Sequence, residues 1–491
     1  MLLRAAERDR AQAAVVDGAS TLDYGALASR SLAIASTLAG AGVRPGDRVA
    51  LLLRRDADAA AAFYGALGAG GVAVIVNEQL RPRQIEHILD HSGASVLVSS
   101  ADLLERQPRP LETAARTVDV ATIESAGDLS PAPRAAGDVA QIVYTSGSTG
   151  LPKGVVLSHG GLWAGMEAVV DYLAIGSSDR IASLLPFSFD YGLNQLLCAV
   201  GAGATLVIER SPVAARIVQA LREQRVTVVA GVPPLWLQLL DVAAFLDEPL
   251  PSLRLLTNSG GRLPTEAVRT LRSRQPQAEV VLMYGLTEAF RSSYLAAERV
   301  DRKPDSIGRA IPGAELLVLG RDLTPCAPGD VGELVHRGPT VALGYWNDPE
   351  ATARVFRPNP LRPAGAREDE RVVFSGDLVY RDDEGDLFFV GRDDAMIKTL
   401  GYRVSPDEVA DVLYASGEIV EALVTSEPDE RRGARVVAHV VMRAEGSLER
   451  LEEFARRELP RYMQPSRIEQ HAELRRTPSG KHDLAAARAG R

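Results

Sequence analysis

"YTSGSTGLPKGVVLSH", residues 144–159, packs serine, threonine and glycine around one lysine and one proline. A run so rich in glycine and hydroxyls builds no hydrophobic core. It is either a flexible linker or a wrap around something that carries oxygen atoms. Its flanks decide between the two. "AQIVYT" (140–145) reads as a strand feeding straight into the run, and "GVVLSH" (154–159) reads as strand-like directly after Pro152 and Lys153. A loop pinned in this way presents successive backbone N–H groups as an anion nest. The hydroxyls of Ser146, Ser148 and Thr149 add donors, and Lys153 adds charge. Phosphate is the natural guest. A Walker P-loop is a different object: it needs Gly-Lys-Ser/Thr followed by a helix. Here Lys153 follows Pro152, no hydroxyl residue follows the lysine, and the downstream residues are strand-like.

Outward from this loop, strand and helix patterns alternate. "DRVALLL" (47–53), "GVAVIVN" (71–77) and "ASVLVSS" (94–100) read as strands; "DADAAAAFYGALGAG" (56–70) and "RPRQIEHILDHSG" (81–93) read as helices. The pattern returns at residues 216–234. Alternation of this kind predicts α/β architecture with parallel sheets covered by helices. After Ala310 short apolar strands are parted by Gly and Asp, and "DDEG" (382–385) marks a hairpin turn. This predicts a β-rich subdomain. From about Asp394 a smaller α+β unit follows, with helices expected at 405–416 and 448–459. The expected domains are therefore 1–393, comprising two α/β subdomains plus the β-rich subdomain, and a small α+β unit at 394–491.

Composition bounds the function. The 491 residues are too many for one core, and 46% hydrophobic with 24% charged is ordinary for a globular chain. A net charge of -9, with no block of Lys and Arg, argues against nucleic acid as a partner. Two cysteines far apart, Cys198 and Cys326, point to a reducing compartment without a disulfide framework. The first residues turn charged almost at once, unlike a secretory signal, and no apolar run reaches the ~18 residues of a membrane helix. A cytoplasmic location, away from membrane, is expected.

Residues 144–159 resemble the phosphate loop of the adenylate-forming superfamily, which includes acyl-CoA synthetases, firefly-type luciferases and peptide-synthetase adenylation domains. The resemblance does not rest on that loop alone. "MYGLTEAF" (283–290), "FSGDL" (374–378), "GRDDAMIKTLGYRVSPDEV" (391–409) and "TPSGKHD" (477–483) look like the other signatures of the superfamily, in its order, over nearly the whole chain. Within it, "FSFDYGLNQ" and "MYGLTEAFRSSYL" look most like the acyl-CoA ligases associated with bacterial exosortase clusters. They also resemble stand-alone ligases that load amino acids onto carrier proteins.

The resemblance implies a two-step reaction. A carboxylate attacks the α-phosphate of ATP to give acyl-adenylate and pyrophosphate; a thiol then takes the acyl group and releases AMP. It implies that Thr145, Ser146, Gly147, Ser148, Thr149, Gly150 and Lys153 wrap the phosphates, and that Ser259, Gly260 and Gly261 in "TNSGG" wall the adenine. Tyr284, followed by Gly285, stacks on the base; Thr287 bonds the α-phosphate; Glu288 holds Mg²⁺, a hard cation suited to oxygen ligands. Asp377, expected at a strand end, accepts from the ribose hydroxyls with Arg392 nearby. Lys481 is the catalytic lysine, Asp394 the hinge and Gly401 the centre of the thiolation loop. On the residues alone, "TLGY" around Gly401 is equally a plain turn.

The acyl pocket is implied at Phe189, Asp190, Asn194, Met283 and Arg291. Phe189 stands where many fatty-acyl and aryl ligases carry His, and Asp190 stands where amino-acid-adenylating domains keep the Asp that binds the substrate ammonium. That favours an amino or imino acid. The alternatives are an Asp190 salt-bridged within the pocket, with Arg291 as the partner, and a free Arg291 that binds a second substrate carboxylate. The expected function is an ATP- and Mg²⁺-dependent, AMP-forming ligase. It makes a thioester on the phosphopantetheine of an acyl or peptidyl carrier protein, or alternatively on free CoA. A nucleotide-binding regulator without chemistry has no use for Lys481, Glu288 and Asp377 together.

Overall fold

The computed structural model describes residues 1–123, 130–145, 152–263, 265–362, 370–392 and 397–474, and only the backbone at 391, 392 and 407. The chain divides into two compact units. The larger is built from described residues within 1–78, 86–144 and 154–393, and the smaller from those within 79–85, 145–153 and 394–491.

The larger unit carries two sheets. The first has seven strands, in the order Gly344–Tyr345, Lys153–Ser158, Val139–Thr145, Val72–Ile75, Arg48–Leu52, Val96–Ser99, Arg116–Asp119. From Val139–Thr145 onward its pairs are parallel, as the alternating sequence predicts. Helices at Ala57–Gly68 and Pro82–Ser92 connect the strands expected around 47–53, 71–77 and 94–100.

The second sheet has fourteen strands. Its parallel part includes Leu255–Asn258, Val228–Gly231, Arg180–Ser183 and Thr205–Ile208, with Glu279–Tyr284 alongside Leu255–Asn258. The β-rich region after Ala310 is present but does not stand apart. Ser306–Ala310 pairs antiparallel with Ser293–Leu295 on one side and Leu387–Arg392 on the other, so the sheet runs on into it. The local pattern could not show this, because pairing between remote strands leaves no periodic trace in either one. The expected hairpin is there: Arg371–Arg381 pairs antiparallel with Leu387–Arg392.

The helix Asp190–Ala202 is nearly all buried; it packs on Arg180–Ser183 and Thr205–Ile208 and shares one core with residues of the seven-stranded sheet. Its close packing depends on Gly192, where a Cβ would lie 2.1 Å from the Pro186 carbonyl oxygen.

The smaller unit packs the helices Pro406–Ala415 and Leu448–Glu458 on a three-stranded sheet of Ile419–Asp429, Gly433–Met442 and Arg467–His471. Both helices match the expected ones, and each is started by a serine N-cap, Ser405 and Ser447. No described helix is long and apolar enough to cross a membrane.

Candidate active site

In an open parallel sheet, ligands bind beyond the carboxyl ends of the strands. Three such ends carry the predicted residues. After Arg180–Ser183 the chain runs to Phe189 and Asp190; after Leu255–Asn258 come Ser259, Gly260 and Gly261; Glu279–Tyr284 ends at Tyr284 and leads to Gly285, Thr287, Glu288 and Arg291. Residues a hundred apart in sequence thus share one sheet edge.

At the end of Leu255–Asn258, Asn258 donates its amide to the Gly261 carbonyl at 3.0 Å and closes the glycine turn, with Gly260 at φ 78°. The Tyr284 phenol donates to Asp377 Oδ2, and both residues are well packed. Asp377 is not at a strand end as expected. It lies inside the eleven-residue strand Arg371–Arg381, next to a register shift between Leu378 and Val379. Gly376, at φ 68°, and that bulge turn the strand locally, which reads as punctuation in the sequence. Arg392 is the register partner of Asp377 across the hairpin. His336, which sequence reasoning missed, stacks on Tyr284 with ring centroids 6.1 Å apart. Burial holds its imidazole far down, at a pKa of about 3.

Thr287 and Glu288 sit in the 3-10 turn Thr287–Ala289. Glu288 is buried, accepts from the Tyr345 phenol at 2.7 Å through Oε1, and has no hydrogen-bond partner at Oε2 among the described residues. A buried carboxylate oxygen left over in this way suits a hard divalent cation. Tyr345 lay in a stretch read only as strand, with no motif to single it out.

After this turn the backbone does something costly. Phe290 adopts φ 50°, a left-handed conformation worth roughly 1–3 kcal/mol of strain in a non-glycine residue. Its fully buried ring compensates by filling the space at Gly165, where a Cβ would lie 2.3 Å from the ring. The twist delivers Arg291 into the interior.

There the predicted pocket residues come together. Asp190 begins the buried helix and makes no ion pair among the described residues. Burial pushes its carboxyl up from the ordinary value, while the charge of Arg291 and the Tyr191 N–H and Thr287 hydroxyl pull it back. Asn194, one turn on, accepts a hydrogen bond from the Cys198 thiol at 3.4 Å. Met283 accepts from the Tyr172 phenol at 3.0 Å, and Tyr191 and Thr257 share a hydrogen bond of 2.6 Å. Tyr172 and Tyr191 were not expected, because aromatic residues on helices read as core; Thr257 belongs to the TNSGG stretch expected at the adenine and here bonds Tyr191 instead. Phe189 caps the helix and stands edge-on to Tyr191, centroids 6.2 Å apart.

The remaining predicted residues are placed by the backbone. Thr145 ends one strand and Lys153 begins the next. Ser146, Gly147, Ser148, Thr149 and Gly150 lie outside the described residues, as do Asp394, Lys481 and the side chain of Arg392. Gly401, with φ 83°, follows Leu400, with φ 53°, in the two-residue turn between Ile397–Thr399 and Tyr402–Val404.

A family model described as AMP-binding enzyme matches residues 2–346, and one described as AMP-binding enzyme C-terminal domain matches residues 408–481. Novobiocin biosynthesis protein H of Streptomyces niveus is 32% identical over 487 residues, covering 96% of this chain and 79% of that protein. Tyrocidine synthase 3 of Brevibacillus parabrevis is 31% identical over 484 residues; the match covers 97% of this chain, which spans only 7% of that relative's length. Among solved structures, o-succinylbenzoate CoA synthetase from Bacillus subtilis is similar with a TM-score of 0.89 at 25% identity, covering 100% of this chain and 98% of that one.

Proposed function

The chain belongs to the AMP-binding enzyme family of the adenylate-forming superfamily and is an ATP-dependent, AMP-forming ligase, and from that premise we propose that it activates an amino acid and passes it to the phosphopantetheine thiol of a carrier protein. One observation carries the choice of acid. Asp190 is a buried carboxylate with no ion pair among the described residues. A desolvated carboxylate at the head of a buried helix calls for a cation, and a substrate ammonium supplies one.

In the first step a carboxylate oxygen of the acid attacks the α-phosphorus of ATP, and the bond to pyrophosphate breaks. In the second a thiol sulfur attacks the acyl carbon, and the bond to AMP breaks. Negative charge approaches negative charge in the first step, so positioning and neutralisation dominate. Mg²⁺ supplies charge neutralisation on the phosphates. Glu288 would hold it through the unpaired Oε2, while Tyr345 fixes the carboxylate by occupying Oε1. Tyr284 and Asp377 hold each other at the adenosine end. Lys153 and Lys481 add positive charge at the phosphates and the substrate carboxylate, and location in the cytoplasm supplies the reduced thiol.

The second reading is transfer to free CoA, favoured by the likeness to o-succinylbenzoate CoA synthetase. One experiment addresses both. ATP–pyrophosphate exchange is measured over amino, fatty and aryl acids, then thioester formation on a holo carrier protein and on CoA. Amino acids should lead the panel, and Asp190→Ala should remove that lead by leaving the ammonium unpaired. If fatty or aryl acids outpace every amino acid, the amino-acid reading is wrong. Release of ADP instead of AMP would contradict the ligase itself.

A further inference from the structure

Arg291 is 3% exposed. Its guanidinium faces are covered: it lies 4.9 Å from the centroid of the Tyr191 ring and 5.4 Å from that of Phe290. Its edge is not. Nε and Nη2 are buried with no hydrogen-bond acceptor, and the side chain makes no ion pair, among the described residues. Those two nitrogens form the side-on fork of the guanidinium, the pair of parallel N–H donors that matches the two oxygens of a carboxylate. Stacking on aromatic faces offsets part of the burial of the cation, but it cannot satisfy N–H groups that lie in the guanidinium plane.

A second orphan stands close by in the fold. Asn194 Nδ2 is buried without an acceptor among the described residues, although the Oδ1 of the same amide accepts from Cys198. Asp190, Asn194 and Cys198 follow each other at intervals of four along the helix Asp190–Ala202 and so share one face. The Arg291 guanidinium lies on the ring of Tyr191, the residue after Asp190, which brings it to the first turn of this helix. The site therefore presents a carboxylate without an ion pair at the head of the helix and, beside it, a fork plus an amide whose donors have no acceptor among the described residues.

We infer that the acid activated here is an acidic amino acid: Asp190 takes its ammonium, and Arg291 with Asn194 takes a second carboxylate, distinct from the one that reacts with ATP. The inference rests on the ligase reading above and narrows its substrate. A pocket of this kind selects strongly, because an analogue lacking the second anion leaves the buried donors unpaired. Arg291 is thus a specificity residue that touches the non-reacting end of the substrate.

The test is ATP–pyrophosphate exchange on the full chain with aspartate and glutamate (both enantiomers), asparagine and glutamine, succinate and glutarate, and neutral amino acids. The quantity read is the ratio of kcat/KM for each acidic amino acid to that for its monoamide. In the wild type this ratio should be at least ~10² for the preferred acid. Arg291→Met should bring it down to around one, and Asn194→Asp, which keeps shape and adds a like charge, should lower it as well. Melting curves of both variants report folding, and the wild-type ratio needs no variant at all. A wild type that exchanges well but prefers neutral amino acids, or diacids without an ammonium, overturns the inference and leaves the ligase reading intact. An Arg291→Met ratio equal to that of the wild type overturns it in the same way. Exchange with no acid of any class overturns the ligase reading, and the inference with it.

Discussion

The Tyr345 phenol donates a hydrogen bond of 2.7 Å to Oε1 of Glu288 and leaves Oε2 of that carboxylate without a partner among the described residues. Partners that orient a ligating carboxylate typically matter about 10–100-fold in metal affinity or activity. Tyr345→Phe should therefore raise the Mg²⁺ concentration needed for half-maximal pyrophosphate exchange by roughly 10-fold or more. Saturating Mg²⁺ should restore much of the rate. An unchanged Mg²⁺ dependence would remove Glu288 from the metal site.

The buried His336 predicts a pH dependence of stability. Its folded pKa, about 3, lies below the ordinary 6.5, so the folded state resists the proton that the unfolded chain accepts. The stabilisation is complete above pH 6.5 and is lost as pH falls from there toward 3. The slope from this one group approaches about 1.4 kcal/mol per pH unit. Urea unfolding between pH 7 and 4 should show that loss in the wild type, and His336→Leu should flatten it. Parallel curves for the two proteins would mean that His336 is not the group responsible.

Gly192 predicts a steric defect transmitted to the pocket. A Cβ there would sit 2.1 Å from the Pro186 carbonyl oxygen, against backbone that has no soft direction to yield. Gly192→Ala should cost about 1–3 kcal/mol in unfolding free energy. Because the displaced segment leads into Asp190, KM for the acid should rise more than KM for ATP. A variant as stable as the wild type would show that the helix and the loop separate freely.

The roles proposed for Lys481, Gly401 and Asp394 separate the two half-reactions. Lys481→Ala should lower pyrophosphate exchange at least ~10²-fold, the scale of losing one preorganised electrostatic donor, while thiol transfer from preformed acyl-adenylate persists. A bulky residue at Gly401 should spare exchange and block transfer, and Asp394→Pro should uncouple the two steps. Gly401 has φ 83° in a tight turn, so its variants need a melting control. Equal damage to both halves in Lys481→Ala would contradict an adenylation-only lysine.

Much of the fold is written locally in the sequence. The strand before the phosphate loop, the alternating elements from 47 to 100, the DDEG hairpin and the two serine-capped helices after Asp394 all rest on periods and punctuation within a dozen residues. The motifs that resemble the superfamily's nucleotide signatures are likewise continuous in the chain, so Tyr284, Thr287, Glu288 and Asp377 could be singled out before any contact was known. Other features depend on what lies across the fold. Antiparallel pairing through Ser306–Ala310 merges the β-rich region with the parallel sheet, and a bulge keeps Asp377 inside a strand that the local pattern would end. Tyr345 meets Glu288 across 57 residues and no motif links them. The sharpest case is Arg291. The sequence leaves open whether it neutralises Asp190 or stands ready for a second carboxylate. That choice is a matter of a few ångströms between a helix that begins at 190 and a strained turn at 290, each positioned by a different strand of the sheet. Local propensities set neither distance. Packing of the Phe290 and Tyr191 rings on the guanidinium does, because a charge buried among aromatic faces cannot reach out to a partner and must have one brought to it.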